Sequence, residues 1–368
     1  MNKKRYVTIF PECEEVHLKK DVGMLPYSLG KYCNYEFSIV CYEGLFDEKN
    51  IEKFHIKQIP KKRNDVLDFG MYILKYGRQI DILNLYHISS RRNVFWIFVY
   101  KLVNPKGKIH VKLDADYRMV ELVDMDPKSF KGKVKAHILR NKVDLYTVES
   151  KRMRELLENK WKLKMKVIPN GIFREREIDA PKSEEKENLF LTVGRLGTEQ
   201  KATQDLLEAY VLIKDKTNWK LWLVGTMEKT FVRYLENYFV KNPELRKRII
   251  VEGNVSDNNR LTEIYKRAKV FILPSKWESF GLVLMEALEC GEYLIVSDQI
   301  PSIDDIGKSG EYASVVKYND VEELANEMLA VTQKDVTDRE LQERNKWIRN
   351  NFTWRVIVRK LDKYLNEL

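Results

Sequence analysis

Residues 270–298, VFILPSKWESFGLVLMEALECGEYLIVSD, leave the chain few folds to choose from. Val270–Leu273 is an unbroken apolar run, the pattern of a strand buried on both faces. Pro274 and Ser275 end it. Gly281 permits close backbone approach, Leu282–Leu288 reads as a helix, and Gly291 stands where helices close. Tyr293–Val296 is a second buried strand. Strands alternating with helices in this way argue a parallel sheet with crossover connections.

The same stretch carries chemistry. Glu278 falls in the loop and Glu286 in the helix, with seven residues between them. The first amides of the helix, near Gly281, Leu282 and Val283, lack intrahelical partners, and with the helix dipole they make an anion site. A diphosphate fits there. Carboxylates inside such a site need donors from a ligand, and sugar hydroxyls supply them. A nucleotide sugar satisfies both demands.

The whole phrase, PS-x-W-E-S-F-G-L-V-L-x-E-A-L, resembles the E-x7-E signature of retaining glycosyltransferases of the GT-B fold, glycosyltransferase family 4 in particular. The bland alternative is an ordinary βαβ unit with solvated glutamates. The resemblance implies an α/β protein of two Rossmann-like, doubly wound domains facing a cleft, with a C-terminal helix crossing back to the first. It is strong over about 169–298 and only topological over most of 1–150.

Other segments fit that frame. Strands are expected at Tyr6–Phe10, Glu36–Tyr42, Phe54–Ile59, Ile80–Leu85, Lys108–Leu113 and Val143–Val148, with helices through Tyr32, over Val66–Tyr76 and from Lys151. Arg91–Asn104 reads as a helix that is apolar nearly all round. That pattern favours burial over a segment resting on a membrane. Pro169-Asn170-Gly171-Ile172 resembles the family's linker phrase, which divides the chain into 1–168 (joined by 353–368) and 169–352. Asp179–Lys186 is charged and expected to be loop. Beyond it, Leu189–Val193, Lys220–Gly225 and Ile249–Val255 read as strands, and Leu261–Ala268, Val321–Val331, Asp338–Arg349 and Thr353–Leu365 as helices. Asn351-Phe352-Thr353-Trp354 resembles the start of the family's final helix.

Residue by residue, the resemblance implies these roles. Gly194-Arg195-Leu196 and Lys201 match the family phrase whose Arg and Lys contact the donor phosphates, with Ala202 where a glycine is usual. Two such cations offset the charge of a departing diphosphate, so no metal and no cofactor are expected. Glu278 would hold sugar hydroxyls and Glu286 the ribose diol. The backbone of Phe280, Gly281 and Leu282 would meet the diphosphate or sugar, and Asn254 and Val255 would lie beside the base. On the acceptor side, Asp114 stands where the family often has histidine. His87 and Gly23 are further acceptor-side candidates, and His110 lies nearby. Asp114-Ala115-Asp116 also looks like the metal-holding D-x-D of GT-A enzymes, a competing reading for diphosphate binding. After Asp298 the family's Gly-Gly-x-x-Glu is replaced by Gln299-Ile300-Pro301-Ser302-Ile303-Asp304, at the outer wall of the donor pocket.

Composition adds one constraint. Residues 1–168 hold 34 Lys and Arg against 21 Asp and Glu, a net of +13, whereas the remainder is at −3. The basic half points to an acidic partner, such as an anionic membrane surface or an anionic acceptor. A solvated lysine-rich surface is the other reading. Charge without a recognition motif does not make a nucleic-acid binder, and none is expected. Four cysteines without C-x-x-C spacing suggest reduced, buried thiols in a cytoplasmic protein, peripheral on the membrane's inner face if it touches one. The expected activity is transfer from a nucleotide diphosphate sugar to a saccharide or lipid-linked acceptor. The alternatives are a protein Ser/Thr O-glycosyltransferase and a silent partner subunit of another transferase.

Overall fold

The computed structural model describes residues 3–44, 52–88, 91–172 and 178–368. The chain divides into two compact units: Met1–Phe173 with Phe352–Leu368, and Arg174–Asn351.

The first unit is a seven-stranded parallel sheet in the order β3-β2-β1-β4-β5-β6-β7. Its strands are β1 Lys4–Ile9, β2 Tyr35–Tyr42, β3 Ile56–Ile59, β4 Ile82–Tyr86, β5 Lys108–Lys112, β6 Leu145–Val148 and β7 Lys166–Val167. Val7, Ile9, Leu83, Leu85, Ile109 and Val111 face one set of helices, among them Asp65–Tyr76 and Arg91–Val103. Tyr6, Ile39, Cys41 and Ile82 face the other set, Asp21–Tyr32 and the terminal helix Trp354–Asn366. The terminal helix thus packs into the first unit, through Trp354, Ile357, Val358 and Leu361.

The second unit is a six-stranded parallel sheet in the order β10-β9-β8-β11-β12-β13. Its strands are β8 Glu187–Val193, β9 Lys220–Val224, β10 Ile249–Gly253, β11 Ala268–Leu273, β12 Tyr293–Ser297 and β13 Ala313–Val316. Each sheet reverses its strand order once, between β1 and β4 and between β8 and β11. Open α/β sheets bind ligands outside the carboxyl ends of strands at such a switch point. In the second unit those ends are Val193-Gly194-Arg195 and Leu273-Pro274-Ser275.

Several expectations need correction. Phe54 lies in a 3-10 turn, not a strand, because His55 adopts φ 47 and breaks the extended run before β3. Ile80 precedes β4, after a 3-10 turn over Gly77–Gln79. The charged stretch before β8 contains a 3-10 turn, Ser183–Glu185, and ends in a buried Lys186 whose ammonium donates to the Tyr265 carbonyl at 3.2 Å. Cys13, Cys41 and Cys290 are buried thiols, but Cys33 is only half-buried. Helix Arg91–Val103 buries Asn93, Trp96, Ile97, Val99 and Tyr100 and exposes Phe95, Phe98 and Leu102. Its all-round apolar character therefore does not mean all-round burial. Among the described residues no helix is long and apolar enough to cross a membrane.

His110 is a core residue, not an acceptor ligand. Its Nδ1 meets the Tyr6 hydroxyl at 2.7 Å, and its Nε2 meets Thr147 Oγ1 at 2.8 Å. Burial first, and then Lys112, push its pKa down to about 3. The folded protein therefore keeps it neutral while the unfolded chain binds a proton below about pH 6.5. Its contribution is full above that pH and is lost as pH falls towards 3. Between pH 7.5 and 5.5 this one group is expected to remove about 1.4 kcal/mol of stability. Urea unfolding of wild type and His110→Asn at both pH values checks this: the variant should lose less on acidification.

Candidate active site at the switch point of the second unit

The carboxyl ends of β8, β9 and β10 are knitted together by glycines. Gly194 donates its amide to Val224 O at 2.9 Å, and Gly225 donates to Gly253 O at 2.7 Å. A Cβ on Gly225 would fall 1.8 Å from the Gly194 carbonyl, so this approach requires glycine. Gly194 in turn leaves room for the Lys201 stem, whose Cε would lie 3.2 Å from any Cβ placed there.

Lys201 and Glu278 form an ion pair, with side chains 13% and 10% exposed. Two unlike groups expected to act on one ligand are thus already in contact. Ser275 Oγ donates to the same Glu278 oxygen at 3.1 Å and fixes the carboxylate. Gln200 clasps the two loops that carry the pair. It accepts from Arg195 at 2.6 Å through Oε1, donates to the Trp277 carbonyl at 3.0 Å, and its own carbonyl accepts from the Lys276 amide at 2.8 Å. Arg195 is exposed beside it.

Ala202 takes the left-handed conformation, φ 46, at the start of helix Thr203–Ile213. Such a residue costs roughly 1–2 kcal/mol relative to glycine, so alanine is less innocent here than its size suggests.

Helix Leu282–Glu289 starts at Gly281, φ 77, with no side chain capping its amides. Leu284, Met285, Ala287 and Leu288 anchor it in the core. Leu282, Val283 and Glu286 are half-buried, and Glu286 lies one turn beyond Leu282, on the same face. Tyr265, fully buried, donates its hydroxyl to Glu286 Oε2 at 2.9 Å. Burial, and then Glu286, hold that phenol well above its usual pKa, so it stays a donor. Phe280 is buried, and its carbonyl accepts from Ser302 Oγ. This gives the departing Gln299–Asp304 segment a role: it ties down the loop before the helix. Asn254 is exposed and Val255 half-buried just beyond β10.

The acceptor-side candidates are spread through the first unit. Asp114 is exposed beyond β5. Asp116 turns back to accept from the Arg118 backbone amide at 2.9 Å and pairs with its guanidinium. The two aspartates of the D-x-D are therefore differently engaged. His87 takes φ 60 just after β4, a strained backbone of the kind that clusters at functional positions. Gly23 has a packing reason: a Cβ there would meet the Leu18 carbonyl at 2.3 Å. Beneath these residues Lys112, fully buried, contacts Glu149 at 2.7 Å and Asp21 at 3.4 Å. Burial, with Asp114 and Asp21 adding to it, works to raise the Glu149 pKa, and the adjoining Lys112 ammonium opposes the rise.

Sequence reasoning missed Gln200, Ser275, Tyr265 and the Lys112 cluster. Ser275 was visible within the signature phrase; the others have no local signal.

The architecture is that of the GT-B glycosyltransferases. Anabaena HepE in complex with UDP matches it with a TM-score of 0.75 over 100% of both chains, at 14% identity. Residues 173–354, which contain the whole cluster around Lys201, Glu278 and Glu286, match the family described as glycosyl transferases group 1. An uncharacterized glycosyltransferase of Methanocaldococcus jannaschii is 33% identical over 36% of this chain and 36% of its own length. The UDP-Gal:alpha-D-GlcNAc-diphosphoundecaprenol alpha-1,3-galactosyltransferase of Escherichia coli is 26% identical over 55% of this chain and 53% of its own. The chain thus spans about half or less of the length of these curated relatives.

Proposed function

We propose that the protein is a retaining glycosyltransferase of family 4. It moves a sugar from a nucleoside diphosphate sugar to a saccharide acceptor, lipid-linked, in surface polysaccharide or glycoconjugate synthesis at the cytoplasmic face of the membrane. The observation that carries this reading is the Lys201–Glu278 pair, set at the switch point beside the uncapped helix start at Gly281. A cation, a carboxylate and a helix start without a side-chain cap together suit a sugar diphosphate.

Lys201 and Arg195 offset the charge that builds on the diphosphate as its bond to the sugar's anomeric carbon breaks. They take the part a metal would otherwise play. The acceptor oxygen bonds to that carbon on the same face, and its proton passes to the departing phosphate oxygen. Glu278 accepts from sugar hydroxyls, Glu286 from the ribose diol, and the base lies beside Asn254 and Val255. Asp114 and His87 engage the acceptor. Uridine is the base to test first, because HepE holds UDP and the Escherichia coli relative is named for UDP-Gal.

Proton NMR of the product tests the proposal. An axial anomeric bond in the donor should remain axial in the product, in buffer containing EDTA; an inverted product overturns it, and activity only with added divalent metal restores the D-x-D reading.

Tyr265 bears on donor affinity. Tyr265→Phe removes one hydrogen bond to a carboxylate, worth about 1.5–3 kcal/mol. UDP is expected to bind about tenfold or more weakly to the variant, with 2′,3′-dideoxy-UDP little changed. Calorimetric titration of both ligands checks this: equal losses for the two would mean that Tyr265 only supports packing.

A further inference from the structure

Helices Asp65–Tyr76 and Arg91–Val103 lie side by side on one face of the first unit's sheet and run in the same direction. Two glycines set the contact. A Cβ on Gly70 would come 2.7 Å from the Phe95 ring, and one on Gly77 would come 2.7 Å from Val103. The outward sides of this pair are apolar at helical spacing: Leu67, Met71 and Leu74 on one, Phe95, Phe98 and Leu102 on the other. Met71 is 62% exposed, Phe98 53% and Leu102 67%. Large side chains clustered this way are not the scattered single residues of an ordinary surface.

The charge around them is mostly positive, although Arg92 pairs with Asp65 and both Lys101 and Lys108 pair with Asp144. Residues 61–108 contain 10 Lys and Arg and 3 Asp. All three aspartates are engaged by protein groups. Asp65 pairs with Arg92 at 2.7 Å, Asp68 accepts from the amides of Lys62 and Arg63, and Asp81 accepts from the Arg5 amide at 2.7 Å. Arg63 and Arg91, near the starts of the two helices, are exposed. Helix Phe130–Lys142 packs against Arg91–Val103 and extends the pattern. It bears five basic residues and no acidic one, and it exposes Phe130 and Val134.

We infer that this helical face is a docking surface for an anionic lipid bilayer. Its apolar side chains enter the boundary between headgroups and acyl chains, and its cations meet the lipid phosphates. Apolar residues ringed by cations, with the nearby carboxylates engaged, fit that chemistry. A second copy of the same basic face would repel it.

The test is flotation of the full chain with phosphatidylcholine vesicles, with and without phosphatidylglycerol. Binding is expected only with the anionic lipid and should fall as salt is raised. The double substitutions Phe98→Ser/Leu102→Ser and Arg63→Glu/Arg91→Glu replace exposed side chains only. Each is expected to weaken binding by at least about tenfold, with affinity for UDP unchanged. Failure of the wild type to bind anionic vesicles, or binding indifferent to both double substitutions, overturns the assignment. So does concentration-dependent self-association, seen by light scattering, that the apolar pair abolishes while vesicle binding persists. Because UDP affinity is read on the same samples, loss of the surface and loss of the donor site are told apart.

Discussion

Lys201→Met is expected to lower turnover about 10²–10³-fold, equivalent to roughly 3–4 kcal/mol of barrier. The ammonium lies against Glu278, 13% exposed, with its stem over Gly194. A cation so placed is preorganised and acts in a partly water-excluded site, where electrostatic stabilisation of a leaving diphosphate is strongest. The negative charge on that group is larger in the transition state than in the bound donor, so kcat and kcat/KM should fall together while the donor KM moves less. Methionine keeps the length and apolar stem, and Ser275 still holds Glu278. A rise in KM at constant kcat would make Lys201 a ground-state binding residue instead. Arg195, exposed and tied to Gln200, is expected to matter less.

The largest stability effect is expected at Lys112. Its ammonium, fully buried, bridges Glu149 at the end of β6 and Asp21 at the start of helix Asp21–Tyr32. Burial pulls Lys112 towards neutrality, but Glu149 and Asp21 outweigh it and hold it charged. Lys112→Met leaves two buried carboxyl groups without their cation. Removing one partner of a buried pair costs about 3–5 kcal/mol, which for a unit of this size lowers the melting temperature by roughly 6–20 °C. Lys112→Met combined with Glu149→Leu should recover much of that loss, because an apolar replacement of a whole pair is often neutral. Calorimetry on the single and double variants checks both. A double variant no better than the single one would show that Asp21 alone sets the need for Lys112.

Much of the second unit was legible because its strands are continuous apolar runs bounded by Gly and Pro. β11, β12 and helix Leu282–Glu289 fall within about two residues of their expected limits, as fully buried parallel strands should. The glutamates, Arg195 and Lys201 were legible from a local phrase. Helix Phe130–Lys142 was not: it buries only Ala136 and Leu139 among many lysines, so it has almost no apolar period to read. The Lys112 cluster was hidden for another reason. Its members are 21, 112 and 149, and only the strand order brings them together. The exposed face of Arg91–Val103 looked like core because sequence gives hydrophobicity but not the number of neighbours available to cover it.

The central claim is that the carboxyl ends of β8 and β11 hold a sugar nucleotide through Lys201, Glu278 and the amides at Gly281. Calorimetric titration with UDP in buffer containing EDTA tests it most directly, with Lys201→Met and Asp114→Asn alongside. The expected result is saturable one-to-one binding without metal, weakened at least about tenfold by Lys201→Met and unchanged by Asp114→Asn. Binding that requires added magnesium or manganese and disappears with Asp114→Asn, or no binding of any nucleoside diphosphate, would contradict it.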